Sequence, residues 1–239
     1  SSLSPEQLKR GVVCASAGNH AQGFAFSCKK LNVRGVVFMP IITPNQKVNQ
    51  TKMFGEEFVE VVLTGDTFDD CAIAARQYTE ENNMVFIPPF EDEKIIEGQG
   101  TVGMEILEEL NDIDYLFVPV GGGGLASGVG TYCKTYSPKT KVIGLEPEGA
   151  PSMYEAIKAG HPVALENIDR FVDGAAVKRV GDLTFSICRE VLDDMHLVPE
   201  GKVCSTILKL YNEDAIVVEP AGALSIAGLD DYAEEIKGK

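Results

Sequence analysis

No stretch of this sequence stays apolar long enough to cross a membrane. The longest apolar runs, such as YLFVPV at 115–120 and AIVV at 215–218, fall far short of the roughly 20 residues a spanning helix needs. No charged, apolar and small-residue leader opens the chain, so a cytoplasmic protein with no membrane partner is expected. Basic residues are scarce: 21 Lys and Arg face 36 Asp and Glu, a net charge of −15. Nucleic-acid backbones are held by clustered cations, so no nucleic-acid partner is expected. The six cysteines at 14, 28, 71, 133, 188 and 204 form no CxxC pair and have no matched histidines. That spacing argues against a zinc or disulfide framework and reads as small buried hydrophobes in a reducing compartment.

What is present is enough chain for one large or two modest domains: 239 residues, 44% of them hydrophobic. Charge is unevenly spread. Residues 1–90 hold 9 acids and 8 bases, and residues 91–239 hold the other 27 acids and 13 bases. The break marks an expected domain boundary, with 1–90 as the first domain and 91–239 as the second.

Strand and helix patterns alternate along the whole chain. Strands are expected at 11–16, 33–39, 58–63, 84–87, 115–120, 141–145, 196–198 and 215–219. Helices are expected near 20–31, 43–54, 67–82, 97–110, 124–136, 151–159, 181–194, 201–213 and 221–236. Ser4-Pro5-Glu6-Gln7 carries the N-cap, first-turn proline and capping-box glutamine of a further short helix. Apolar strands separated by helices predict an α/β fold of two open, mostly parallel sheets flanked by helices.

Two strand-to-helix loops stand out, because ligands of parallel sheets bind beyond the carboxyl ends of strands. The first is ASAGNHAQG, Ala15–Gly23, where Ser16, Asn19 and His20 surround Gly18 at a helix start, a setting that favours an anion. Simple capping by Ser16 or Asn19 is the structural alternative. The second is VPVGGGGLASG, Val118–Gly128. Four successive glycines cost chain entropy, and they let backbone N–H groups approach a phosphate closely. Valine at Gly122 or Gly123 is expected to obstruct that approach while leaving the fold largely intact. The loop has no Lys and no Ser/Thr in P-loop spacing, which argues against a nucleoside triphosphate. Gly121, Gly123 and Ala126 do satisfy G-x-G-x-x-G/A, and Glu146 ends the next strand where an acid would meet a ribose hydroxyl. A dinucleotide therefore remains an alternative, as does a non-catalytic α/β module that binds a phosphorylated metabolite.

Several segments, in order, resemble one family: CASAGNHAQG, MPIITPNQKVNQTKMFG, GQGTVGMEILEEL, VPVGGGGLASGV, GLEPEGAPSMYEAI, FVDGAAVKRVGDLTF and VVEPAGALSIAGL. They are similar to the threonine dehydratases among the fold type II (β-family) pyridoxal-phosphate enzymes. The resemblance implies pyridoxal 5'-phosphate as cofactor, with L-threonine and L-serine as substrates of an α,β-elimination yielding 2-oxobutanoate or pyruvate plus ammonia. It also implies a homo-oligomer, dimer or tetramer, and a role in amino-acid metabolism such as isoleucine biosynthesis. Residue by residue, it places Asn19 at the cofactor's phenolic oxygen and Gly121, Gly122, Gly123, Gly124 and Leu125 around its phosphate. Gly174 falls near the ring, and Ser16, Ala17 and His20 fall around the substrate carboxylate.

By the same resemblance, 1–90 forms most of a small domain that closes over substrate, and 91–239 belongs to a large domain that binds the cofactor phosphate. Racemising relatives carry a serine where Ala17 stands. An alanine moves no proton, so elimination is expected over racemisation. Glu146 and Ala150 match part of a metal site known in some relatives, but Ser152 replaces an acid there, and no metal is expected. The family's cofactor-bearing lysine sits in a Ser-Phe-Lys-x-Arg-Gly run upstream of the first loop, and a serine turn beyond residue 239 meets the pyridine nitrogen. The chain is accordingly expected to be an internal fragment without its catalytic lysine and inactive alone, with Lys29, Lys30, Lys47 and Lys52 on the surface.

Overall fold

Uncharged runs such as Val12–Ala15 and Gly35–Met39 are what strands covered on both faces require, and they become the centre of the first sheet. The computed structural model describes residues 2–66 and 68–238. It divides the chain into two compact units, Ser1–Pro89 and Phe90–Lys239.

In the first unit, helix α1 (Pro5–Arg10) opens with the expected capping box: Ser4 Oγ accepts from Gln7 N, and Gln7 Oε1 accepts from Ser4 N. Strands β1 (Val12–Ala15), β2 (Gly35–Met39), β3 (Val59–Leu63) and β4 (Val85–Phe86) then alternate with α2 (Asn19–Leu31), α3 (Asn45–Gly55) and α4 (Phe68–Glu81). The sheet order is β3-β2-β1-β4, parallel throughout, with Val12 opposite both Gly35 and Val85. Successive residues of β1 point to opposite faces. Val12 and Cys14 pack with Phe24, Ala25 and Cys28 of α2, while Val13 and Ala15 pack with Cys71 and Ala75 of α4. Gly55 is the last residue of α3, and Glu56 follows with φ 47°, its N–H donating to Lys52 O.

The second unit begins with α5 (Glu93–Glu109), whose Asp92 cap accepts from Lys94 N and Ile95 N and sets the start four residues before the expected one. Strands β5 (Tyr115–Pro119), β6 (Lys141–Pro147) and β7 (Asp194–Val198) form a parallel sheet in that order. Helices α6 (Gly124–Tyr136), α7 (Ser152–Ala159) and α8 (Asp182–Val191) cover one face. On the other face lie α9 (Glu200–Asp214) and α10 (Pro220–Ala227). A Cβ on Gly128 would stand 2.4 Å from Ile96 O and 2.5 Å from Gly100 N. Only glycine lets α6 press directly on the backbone of α5.

Three expected elements are corrected. The segment 215–219 is not a strand: Ala215 caps α9 with φ 56°, Ile216 N donates to Leu210 O, and Val217 is 83% exposed. Its first two residues are committed to ending a helix, so the apolar run has no ladder to join. The helix expected over 221–236 stops at Ala227, and a 3-10 turn, Leu229–Tyr232, follows Gly228. The helix expected to reach 194 ends at Val191. Asp193 turns the chain there, its N–H donating to Val142 O and its carboxylate accepting from Val142 N and Lys134 Nζ, each at 2.6 Å.

All six cysteines are free. Cys14, Cys28, Cys71, Cys133 and Cys188 are buried as expected, but Cys204 on α9 is exposed, which corrects the expectation that all six would be buried. No helix among the described residues is long and apolar enough to cross a membrane.

Candidate active site

The first loop leaves β1, which lies between β2 and β4. The chain proceeds to opposite sides from this strand, so the end of β1 is the switch point where an open parallel sheet leaves a crevice. Ser16 is buried; its N–H donates to Phe38 O at 3.1 Å, and its Oγ accepts from Gly18 N at 3.2 Å. This small turn folds the loop over the strand end. Gly18 is the helix N-cap with φ −118°, and a Cβ there would meet nothing within 4 Å. Its role is therefore to leave open space; a left-handed turn is not needed. Asn19 is the exposed first residue of α2, so it is not the N-cap, and Ala17 is half-buried beside it.

His20 lies one residue further on, its Nε2 3.3 Å from Ile87 O. Burial lowers its pKa, opposed by that hydrogen bond. The ring is neutral at pH 7, and with Nε2 donating to the carbonyl, Nδ1 remains as an acceptor. Ser16, Ala17, Asn19 and His20 are thus gathered at one strand end. Lys29, Lys30 and Lys52 are exposed and Lys47 is half-buried, with Lys29 paired to Glu56 at 2.6 Å.

The second loop joins β5 to α6. Val120 N donates to Leu145 O, and Ser127 N to Gly123 O. Between them, the amides of Gly121, Gly122, Gly123, Gly124, Leu125 and Ala126 meet no acceptor among the described residues. Three of these are first-turn amides that no helix can satisfy internally. Gly123 has φ +90°, a left-handed conformation of the kind in which successive N–H groups converge into an anion-binding nest. Because the positive end of α6 lies behind the loop, a compact dianion with several acceptor oxygens fits this cradle. A Cβ on Gly121 would stand 2.9 Å from Ala175 Cα, so the turn containing Gly174 is packed beside the loop.

The loop's rear is held by residues that reading the sequence overlooked. Phe90 packs against Gly122 and Gly124, and Met153 and Thr184 pack against Gly123. Thr184 Oγ1 donates to Gly122 O at 2.6 Å, and Cys188 Sγ reaches Gly123 O at 3.6 Å. Burial pushes the Cys188 thiol up to about 12, so it stays protonated as a donor. The available sequence signal was the pair Thr184 and Cys188, spaced i, i+4 on one face of α8. A valine at Gly122 would collide with the Phe90 ring, which must shift to admit it.

Glu146 is fully buried beneath α7. Its Oε1 accepts from Met153 N at 2.8 Å and Ser152 Oγ at 3.4 Å, and its Oε2 accepts from Tyr154 N at 2.8 Å. The carboxylate faces into the unit as a helix cap and offers no oxygen to a ribose, which removes the residue on which the dinucleotide alternative depended. Burial raises its pKa to about 8 against the pull of those hydrogen bonds.

The chain is similar to known proteins over its whole length. A family model described as "Pyridoxal-phosphate dependent enzyme" matches residues 1–239. The chain is 62% identical over 240 residues to the L-threonine dehydratase biosynthetic IlvA of Halalkalibacterium halodurans, covering 100% of this chain and 58% of that protein. The chain thus spans little more than half the length of that relative. It superposes on the processed form of threonine deaminase isoform 2 from Solanum lycopersicum with a TM-score of 0.92 and 44% identity, covering 100% of this chain and 68% of that one. It also superposes on maize serine racemase with a TM-score of 0.90 and 30% identity, covering 98% and 70%. On that match over its full length, and on these relatives, the chain belongs to the pyridoxal-phosphate dependent enzyme family.

Proposed function

We propose that this chain supplies the cofactor-phosphate and substrate-carboxylate sites of an enzyme that converts L-threonine, and L-serine, to the 2-oxo acid and ammonia by α,β-elimination. The observation that carries this reading is the run of unaccepted amides from Gly121 to Ala126 at the positive end of α6. When bound, pyridoxal phosphate would supply the electron sink for the pair left on the α-carbon once a base has taken its proton.

In this reading Gly121, Gly122, Gly123, Gly124 and Leu125 hold the phosphate through N–H groups, and the turn at Gly174 flanks the ring. Asn19 contacts the phenolic oxygen. Ser16, Ala17 and His20 surround the substrate carboxylate, where a neutral His20 adds no charge. The first unit acts as the small, substrate-closing domain and the second as the large, phosphate-binding domain. Ala17 has no proton to exchange, which favours elimination over racemisation. The biosynthetic relative supports a place in isoleucine biosynthesis, and free, mostly buried cysteines support a reducing cytoplasm. A homo-oligomer is part of the same proposal.

Binding tests this directly. Pyridoxal phosphate should shift the amide resonances of Gly121–Leu125, pyridoxal without phosphate should do so far less, and NAD should not. L-Threonine added with the cofactor should shift Ser16, Ala17 and His20. Equal responses to pyridoxal and its phosphate, or a response to NAD instead, would refute the cradle. Silence of the first loop towards threonine would refute the substrate assignment.

A further inference from the structure

The hydrogen bonds behind the glycine loop determine where its amides point. Thr184 is fully buried, and its hydroxyl donates to Gly122 O at 2.6 Å; Cys188, one turn along α8, lies 3.6 Å from Gly123 O. A planar trans peptide holds each C=O and the following N–H on opposite sides. Drawing Gly122 O towards α8 therefore turns Gly123 N–H away from it, and drawing Gly123 O the same way turns Gly124 N–H away as well. Without these donors, two glycine-flanked peptides would be free to rotate.

The brace is itself anchored. Glu91 accepts from Leu183 N at 2.7 Å and from Thr184 N at 3.4 Å, fixing the start of α8. Ser127 Oγ on α6 lies 3.4 Å from both Thr184 O and Cys188 Sγ. Loop, α6 and α8 form one connected network in which, among the described residues, the only strong side-chain donor to a loop carbonyl is Thr184, since a thiol is a weak donor.

We propose that Thr184 is a positioning residue for phosphate recognition, its hydroxyl fixing the Gly122–Gly123 peptide so that the Gly123 amide faces the bound phosphate. This inference rests on the reading of Gly121–Leu125 as the phosphate cradle. It concerns orientation only, since Thr184 lies behind the loop.

The test titrates the chain and its variants with pyridoxal phosphate, inorganic phosphate and pyridoxal, reading the amide resonances of Gly121–Leu125 alongside the melting temperature. Thr184→Val removes the donor at nearly constant volume. It should weaken pyridoxal phosphate and inorganic phosphate about tenfold, move the Gly123 resonance in the free chain, and leave pyridoxal unchanged. Thr184→Ser should return both affinities to within about twofold. If Thr184→Val does not fold, Thr184→Ala carries the same measurement; if neither folds, the hydroxyl is structural and the proposal falls. No phosphate response in the unmodified chain would sink the cradle reading itself. A normal response there that persists in Thr184→Val, or is lost equally in Thr184→Ser, would overturn the positioning role alone.

Discussion

Replacing Gly122 with alanine tests whether the loop's shape is set by what packs against it. A methyl group there would stand 2.3, 2.4 and 2.5 Å from Cδ1, Cε1 and Cγ of Phe90. Carbon atoms settle near 3.5 to 4.0 Å, so the ring must retreat by roughly 1 Å. The backbone of Phe90 is itself seated on Gly124, where an added Cβ would stand 2.8 and 3.2 Å from its Cβ and Cα, so the adjustment involves the ring and the loop together. Overpacking of this kind costs about 1–3 kcal/mol, while the lost freedom of the unfolded chain returns about 0.4–1 kcal/mol. Gly122→Ala should therefore lower stability by about 1–2 kcal/mol, measured as a shift in urea midpoint at unchanged m-value. Phe90→Leu removes the ring edge, and in that background the same alanine should cost close to nothing. A double-mutant cycle should accordingly give a coupling of about 1 kcal/mol or more. An equal penalty in both backgrounds, or a stabilising Gly122→Ala, would refute the argument.

Gly98 presents the opposite case. It is an exposed residue inside α5 where a Cβ meets nothing within 4 Å, so Gly98→Ala should stabilise by about 0.5–1 kcal/mol in the same denaturation assay. Glu146 should make stability pH-dependent. Its folded pKa of about 8 lies above the ordinary 4.5, so the native state binds the extra proton between those values. Its stabilising contribution is complete below pH 4.5 and is lost as pH rises through 8, with a slope of about 1.4 kcal/mol per pH unit between. Glu146→Gln should abolish that slope, apart from a constant offset for its amide; parallel curves for the two proteins would show that the α7 N-terminus keeps the carboxylate ionised despite burial. In the full-length enzyme of the proposed function, L-serine should give pyruvate with little D-serine, and Ala17→Ser should introduce D-serine on chiral chromatography. Substantial D-serine from that enzyme with Ala17 in place would mean that another group supplies the second proton.

Much of the architecture can be read from local pattern. Period and punctuation identify β1, β2, α2 and α6, because a strand buried on both faces has to be continuously apolar and a helix start has to leave amides unsatisfied. The two ligand loops are legible for the same reason: strand, small residues and helix follow one another within a dozen positions. The segment 215–219 misleads because its composition is that of a strand, while pairing depends on a neighbour that composition cannot supply. Gly228 likewise ends α10 where a Cβ would meet the side chain of Leu145 at 2.7 Å.

The sequence by itself determined the residue types of the cradle and the parallel α/β class, since each follows from contiguous residues and their hydration; it did not distinguish exposed Cys204 from the five buried cysteines. Only the tertiary structure decided which side chains stand behind the glycines. Phe90, Met153, Thr184 and Cys188 come from distant parts of the chain, and α8 brings the Thr184 hydroxyl to Gly122 O across 62 residues. It also decided that Glu146 caps a helix inside the unit, because a carboxylate at a strand end turns inward or outward according to which amides lie within its reach.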